Sequence, residues 1–275
     1  MTNTIAYDIP ASLVAAFRGR KAIVRSPDPA ELVENVTDLD LGNISFIKLL
    51  SLNGEIGALM AWGHGIPVDL VVSDPCRDLP LLYRYAPLLA VHPIRVSVPL
   101  VPGFGNVVKL AVALNFAVKV EGGQPDEALA DEMQCIARFY LHQTMVSEPV
   151  EFFHSLLMVF YHRDPVTLWA IQEEDPSLNR FITERGEEKL PGRLAGVEST
   201  QGFFAFLREL RSGLATGTDE CAGCEFLLQC MGYFKWPHRE YRCSGVKALM
   251  QTLRSAAEEL RADMASLPSS EGESI

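Results

Sequence analysis

Apolar stretches suited to β-strands alternate with stretches of helical periodicity along the first half of the chain. The predicted strands are 22–25, 45–51, 68–73, 94–100 and 117–121, and Val146 closes a short sixth strand. Helices are predicted over 1–20, 30–35, 55–62, 80–86 and 106–115, and an amphipathic helix follows Pro125. The strands are nearly continuous in apolar residues, as in parallel sheets covered by helices. The alternation predicts an α/β fold, either a partial or full β/α barrel or a doubly wound sheet.

The pattern changes near residue 148, where helical signals replace strand signals. Helices are predicted over 149–162, 164–174 and 202–210, and a last helix begins at Ser244, a suitable N-cap. We therefore divide the chain into a β/α partial-barrel-like domain, a helical connecting region, a small cysteine-rich domain and a flexible tail. Their ranges are 1–147, 148–213, 214–266 and 267–275.

Four of the six cysteines lie close together near the end of the chain. Cys221, Cys224, Cys230 and Cys243 have the spacing C-x2-C-x5-C-x12-C. Four thiolates bind either one tetrahedral zinc ion or a cubane iron–sulfur cluster. Only the first pair is closely spaced, so the spacing favours a 4Fe–4S cluster and leaves zinc as the alternative. The stretch between the last two cysteines is mostly cationic, which suits a negatively charged cluster; it contains Lys235, His238, Arg239 and Arg242 against one acidic residue, Glu240.

Composition argues against two classes of partner. The chain has 275 residues, a net charge of −11 and no Lys/Arg-rich block, whereas nucleic-acid binding needs a basic surface. It has no clean apolar run long enough for a membrane span and no secretory signal. We therefore expect a cytoplasmic protein whose clustered cysteines are metal ligands rather than disulfides. Cys76 and Cys135 stand apart from the cluster, and a structural thiol is the default for Cys135.

The cysteine group resembles the SPASM-type C-terminal domain of radical SAM enzymes that modify peptides and proteins. That domain carries the run C-x2-C-x5-C-x-G-x-C and a later cysteine, and it houses two auxiliary 4Fe–4S clusters. Phe234 stands where the family has the cysteine after the glycine. The resemblance implies that one auxiliary cluster is retained and the other is lost. The residues that match are Cys221, Cys224, Cys230, Gly232 and Cys243.

The preceding part of the chain resembles a degenerate radical SAM barrel. Radical SAM enzymes hold their reactive cluster with a CxxxCxxC loop after the first barrel strand, whereas residues 26–36 contain no cysteine. Asn53, Gly54 and Glu55 stand where the family has its GGE motif, which contacts the amino group of S-adenosylmethionine. The structural alternative is an ordinary Asn-Gly turn. The resemblance implies that this chain does not start radical chemistry by itself.

A barrel that lacks the CxxxCxxC motif and is followed by one auxiliary site is similar to the companion SPASM proteins of peptide-maturation systems, in particular the GeoRSP type. The resemblance implies an accessory iron–sulfur protein in the maturation of a ribosomally made, modified peptide (RiPP). It would assist a radical SAM/SPASM maturase by holding the precursor peptide or relaying electrons, with a peptide chaperone as a further partner. Two alternatives remain: a stand-alone enzyme that uses the degenerate barrel, and a zinc-stapled protein-interaction module.

Overall fold

The structure, a computed structural model, describes residues 5–62, 65–195, 197, 203–215 and 220–266. A nine-stranded sheet lies at its centre. Its strands are β1 (Ala6–Pro10), β2 (Ala22–Ser26), β3 (Ile44–Leu49), β4 (Val68–Val71), β5 (Ile94–Pro99), β6 (Ala117–Glu121), β7 (Val150–Glu151), β8 (Asn179–Ile182) and β9 (Glu188–Lys189).

Helices connect most of the strands and cover one face of the sheet. The α-helices are α1 (Pro29–Asn35), α2 (Gly57–Trp62), α3 (Pro75–Asp78), α4 (Phe104–Ala113), α5 (Glu127–His142), α6 (Phe153–His162), α7 (Leu168–Ile171), α8 (Phe203–Ala215), α9 (Leu227–Cys230) and α10 (Ser244–Ser266). Short 3-10 helices span Ala11–Phe17, Leu41–Asn43, Leu79–Ala90, Gly192–Leu194 and Tyr233–Lys235. No helix in the described ranges combines the length and the apolar character needed to cross a membrane.

Strands β1 to β7 follow one another across the sheet in chain order, and β8 and β9 lie on the other side of β1. From one edge to the other the order is β7-β6-β5-β4-β3-β2-β1-β8-β9. All neighbouring pairs are parallel except β8 and β9. Strand order in a doubly wound sheet reverses partway along, and no reversal occurs between β1 and β7. The fold is therefore α/β with a mostly parallel sheet, as the alternation predicts, but the doubly wound alternative does not describe this region.

The two faces of the sheet differ sharply in polarity. One face carries apolar residues that are fully buried under the helices, among them Val24, Ile47, Val68 and Val96. The other face carries a row of charged register partners: Arg25 pairs with Lys48, Lys48 with Asp69, and Asp69 with Arg95. The strands therefore alternate between apolar and charged positions, as side chains on successive residues point to opposite faces. The prediction of nearly continuous apolar strands is wrong in this respect.

The cysteine-containing part of the chain belongs to the same core as the sheet. Helix α10 packs against α5 and α6, and its buried residues Val246, Leu249, Leu253 and Ala257 join the continuous apolar cluster. Each fully buried leucine contributes about 2 kcal/mol through its removal from water. Gly245 allows the close approach, because a Cβ there would lie 2.6 Å from that of Ala130 on α5.

Two predicted segments differ from the structure. The predicted lead-in helix over 1–20 is instead strand β1 followed by a 3-10 helix; β1 is the strand that joins β2 to β8. The segment 148–213, predicted as a helical connecting region, also contains β7, β8 and β9, because its short extended stretches pair with the edges of the existing sheet. The short strand predicted to end at Val146 corresponds to β7, which lies a few residues further along the chain. The predicted flexible tail, 267–275, lies outside the described residues.

Candidate functional site

The cysteine segment, residues 220–243, folds as a series of tight turns. The Cys224 N–H donates to the Cys221 carbonyl at 3.1 Å, and helix α9 then leads to Cys230. Met231 and Gly232 end α9 in the left-handed backbone region, with φ of 46° and 77°. Glycine suits this conformation because it has no Cβ. Hydrogen bonding from the backbone of Gly232, Tyr233 and Phe234, which follow in this turn, acts on the Cys230 thiol.

The four thiols of the segment are partly or fully buried. Cys221 and Cys243 are buried, and Cys224 and Cys230 are half-buried. Burial raises the pKa of the Cys230 thiol, while its three backbone N–H donors oppose that rise. A charge on Cys224 acts on Cys230, and a charge on Cys230 acts on Cys243. The fold therefore places Cys230 within electrostatic range of both Cys224 and Cys243.

The thiols do not form a ready-made site for a single ion. None of the six cysteines, all of which lie in the described ranges, forms a disulfide. Among the described residues, no group of three or more His, Cys, Asp and Glu side chains has an arrangement that could hold one metal ion. The donor set is nonetheless four sulfurs, which is the set that zinc and cubane clusters use.

Lys235 is the cation that the fold places at the thiols. It is buried, and its Nζ donates to the Tyr241 carbonyl at 2.6 Å and to Glu220 Oε1 at 3.0 Å. Glu220 in turn accepts the Cys243 N–H at 2.8 Å. Partial burial acts to raise the pKa of Glu220, but the bonds from Lys235 and Cys243 outweigh it and lower the pKa to about 2. The other cationic candidates are exposed; they are His238, Arg239 and Arg242.

Aromatic side chains surround the segment. Phe226, Tyr233 and Phe234 are buried. Phe234 makes ring contacts with Tyr233, Tyr241 and Phe152, so position 234 belongs to the apolar core. The buried Tyr233 hydroxyl has no hydrogen-bond partner among the described residues.

Arg193 joins the cysteine segment to the rest of the fold. Its guanidinium donates to the Trp236 carbonyl at 2.9 Å, pairs with Glu174 at 3.2 Å and stacks 3.8 Å from the centre of the Tyr233 ring. The Trp236 indole N–H donates back to the Arg193 carbonyl at 3.3 Å. The indole of Trp169 adds a bond to the Met231 carbonyl at 3.2 Å. Arg193 therefore links Glu174, through an ion pair, to Tyr233 and Trp236 in the turns after Cys230.

The charged face of the sheet is a second candidate site that the sequence analysis missed. We define it as Asp8, Arg25, Lys48, Asp69, Arg95 and Lys119, one residue from each of β1 to β6. Asp8 pairs with Arg25 at 2.8 Å and with Lys48 at 2.7 Å. Asp69 pairs with Arg95 at 2.7 Å and accepts the Ser97 hydroxyl at 2.8 Å. These bonds satisfy charges that would otherwise be costly to bury.

Glu173 completes the charged face from outside the strands. It lies on the connection between α7 and β8, and its carboxylate pairs with Lys119 at 2.6 Å and Arg95 at 3.1 Å. Burial acts to raise the pKa of Glu173, but Lys119, Arg95 and Lys48 outweigh it and hold the pKa well below its ordinary value. A cavity of about 310 Å³ is lined in part by Lys119 and Glu173.

The remaining candidate residues lie elsewhere. Asn53, Gly54 and Glu55 form a turn after β3. The Glu55 side chain is 96% exposed and lies 3.8 Å from Arg84, and none of the three residues lines the 310 Å³ cavity. Gly54 has a packing role, since a Cβ there would lie 2.6 Å from the Pro29 ring. Cys76 and Cys135 are both exposed thiols, on α3 and α5.

Comparisons of the chain with protein-family models, with curated proteins and with solved structures gave no match.

Sequence reasoning found the four thiols, because their spacing is local. It missed the charged face, although a signal was present: each predicted strand carries one or more charged residues among apolar neighbours, as in the stretches AIVRS, SFIKL, VDLV and AVKVE. It also missed Arg193 and Glu173. Neither residue belongs to a recognisable motif, and their partners are distant in the chain.

Proposed function

We propose that this chain is an accessory iron–sulfur protein that holds one 4Fe–4S cluster through Cys221, Cys224, Cys230 and Cys243. One observation supports the proposal above all: burial raises the pKa of the Cys230 thiol, and hydrogen bonding from the backbone of Gly232, Tyr233 and Phe234 acts against that rise. Such donors favour a thiolate over a thiol, and thiolate is the form that ligates metals. Hydrogen bonds to cluster sulfurs also tune the reduction potential.

The strand order supports a degenerate β/α barrel as the body of the protein. In a closed eight-stranded β/α barrel, each strand pairs with the next and the eighth pairs with the first. Here β1 to β7 pair in sequence and β8 pairs with β1, which is the order of a barrel opened between β7 and β8. The loops after β1 and β2 contain no cysteine. A SPASM-like domain after a barrel without its own radical-initiating cluster fits an accessory role.

The residues around the thiols support binding of a cluster rather than catalysis at it. Lys235 places a buried positive charge beside Cys243, where it opposes the effect of the Glu220 carboxylate with which it pairs. Phe226, Tyr233 and Phe234 exclude water on the body side. A bound 4Fe–4S cluster supplies one-electron transfer. The partners that the resemblance suggests are a radical SAM/SPASM maturase and a precursor peptide or its chaperone, in the cytoplasm.

Anaerobic reconstitution of the full chain with iron and sulfide tests the proposal. We expect about four iron and four sulfide per chain, with a broad visible absorption that dithionite bleaches. Cys230→Ala should lose the cluster. Cys76→Ala is the matched control, because Cys76 is an exposed thiol outside the segment, and it should bind the full amount. One zinc per chain and no sulfide would support the zinc-stapled interaction module instead.

Calorimetric titration with S-adenosylmethionine separates the accessory role from a stand-alone enzyme. The accessory role predicts no binding, since the Asn53–Glu55 turn does not line the cavity at the charged face. Saturable binding by the reconstituted protein would contradict it.

A further inference from the structure

Cations from neighbouring strands converge on a single carboxylate at the charged face. Lys119 and Arg95 donate to the two oxygens of Glu173 at 2.6 and 3.1 Å. The charge of Lys48 also acts on this carboxylate. Lys119 is almost fully buried, with 8% of its side chain exposed. A buried ammonium group needs an anion in contact with it, so this position requires a carboxylate or an equivalent group.

The residue that supplies the carboxylate has an unfavourable backbone conformation. Glu173 has φ of 60°, in the left-handed region that costs energy for a residue with a side chain. Its neighbours hold the connection in place: Gln172 bonds to the Gly122 N–H and the Val120 carbonyl, and Glu174 bonds to Arg193. The cations, by contrast, belong to strands of the sheet, whose pairing fixes their backbone independently of Glu173.

A cavity of about 310 Å³ lies next to the Glu173 carboxylate. Lys48, Lys119 and Glu173 line it, together with Phe181 and Asn179. Its volume is at the lower end of the range for small-molecule sites. Lys119 lines this cavity and Arg95 does not, so a carboxylate group that entered from the cavity would meet Lys119 first and would reach Arg95 only by taking the place of Glu173.

We propose that Lys119 and Arg95, with Lys48 beside them, form a carboxylate-binding site that the chain fills with its own Glu173. The carboxylate of a small ligand in the adjacent cavity replaces Glu173 at these cations. Fork-shaped guanidinium donors and ammonium groups are the usual partners of carboxylates. The site uses no cysteine and stands apart from the proposed iron–sulfur function.

Acetate is the probe that tests this site in the full-length protein. Glu173→Gly removes the internal carboxylate, opens space and relieves the positive φ. Thermal unfolding is measured as acetate is titrated against chloride at equal ionic strength. We expect a saturable, acetate-specific rise in the melting temperature of Glu173→Gly, with an apparent dissociation constant at least about tenfold below that of the wild-type protein. Glu173→Gln keeps the space filled and should respond less than Glu173→Gly.

The second substitution identifies the cation. Lys119→Met added to Glu173→Gly should abolish the acetate-specific rise. Equal responses to acetate and chloride in Glu173→Gly would overturn the proposal, and a stronger response to inorganic phosphate would overturn its assignment to carboxylates. Replacement of Glu173 would be excluded if the wild-type protein showed no acetate-specific rise in melting temperature at an acetate concentration about a hundredfold above the dissociation constant of Glu173→Gly. If Glu173→Gly folds in neither salt, the same titration is carried out on Glu173→Asp. Its shorter side chain leaves room at the cations, so the same outcomes are expected.

Discussion

Replacing Arg193 by Met should loosen the cysteine segment from the sheet. The side chain is mostly buried, with 20% exposed, and its partner Glu174 is 10% exposed. Removing one member of a buried ion pair costs about 3–5 kcal/mol, because the other charge loses its partner. Because both groups keep some contact with water, we expect the lower end, about 3 kcal/mol, which includes the lost bond to the Trp236 carbonyl.

Urea unfolding of the wild-type protein, Arg193→Met, Glu174→Met and the double variant measures this coupling. The double variant should lose less stability than Arg193→Met, because it leaves no unpaired carboxylate. Hydrogen exchange locates the effect: amides of 227–243 should exchange faster in Arg193→Met, and those of β2 to β5 should be unchanged. An Arg193→Met protein with wild-type stability and wild-type exchange in 227–243 would refute the reasoning.

Three further outcomes follow from particular contacts. Gly122→Ala should cost about 1–3 kcal/mol in urea unfolding, since its Cβ would lie 2.7 Å from the Tyr233 hydroxyl; Tyr233→Phe should restore part of the loss. The hydrogen bond from Arg18 lowers the pKa of Asp40 to about 2, so the stability advantage of the wild-type protein over Asp40→Asn should be complete well above pH 3.8 and decline as the pH falls towards 2. Glu55→Ala should change the unfolding free energy by less than about 0.5 kcal/mol, because the side chain is exposed.

The sequence by itself determined the α/β class, strands β2 to β6 and the position of the four thiols. These features are local: strand and helix periods repeat over a few residues, and the cysteine spacing lies within one short segment. The prediction over 1–20 failed because β1 has the sequence AYDIP, with Asp8 at its centre and a proline at its end, and gains its stability from pairing with β2 and β8 on either side. Strands β8 and β9 were not predicted because they are only four and two residues long and depend on pairing with the edge of the sheet.

Only the tertiary structure decided which charges meet. Lys48, Arg95 and Lys119 come from three strands, and Glu173 reaches them from a connection more than fifty residues beyond Lys119. Nothing in the local sequence specifies such pairs, since each depends on strand order and register. The same holds for Arg193, whose partners are Glu174, 19 positions earlier in the chain, and the backbone of Tyr233 and Trp236. Spacing along the chain predicts the ligands of a cluster, whereas the crossing of distant segments determines what surrounds them.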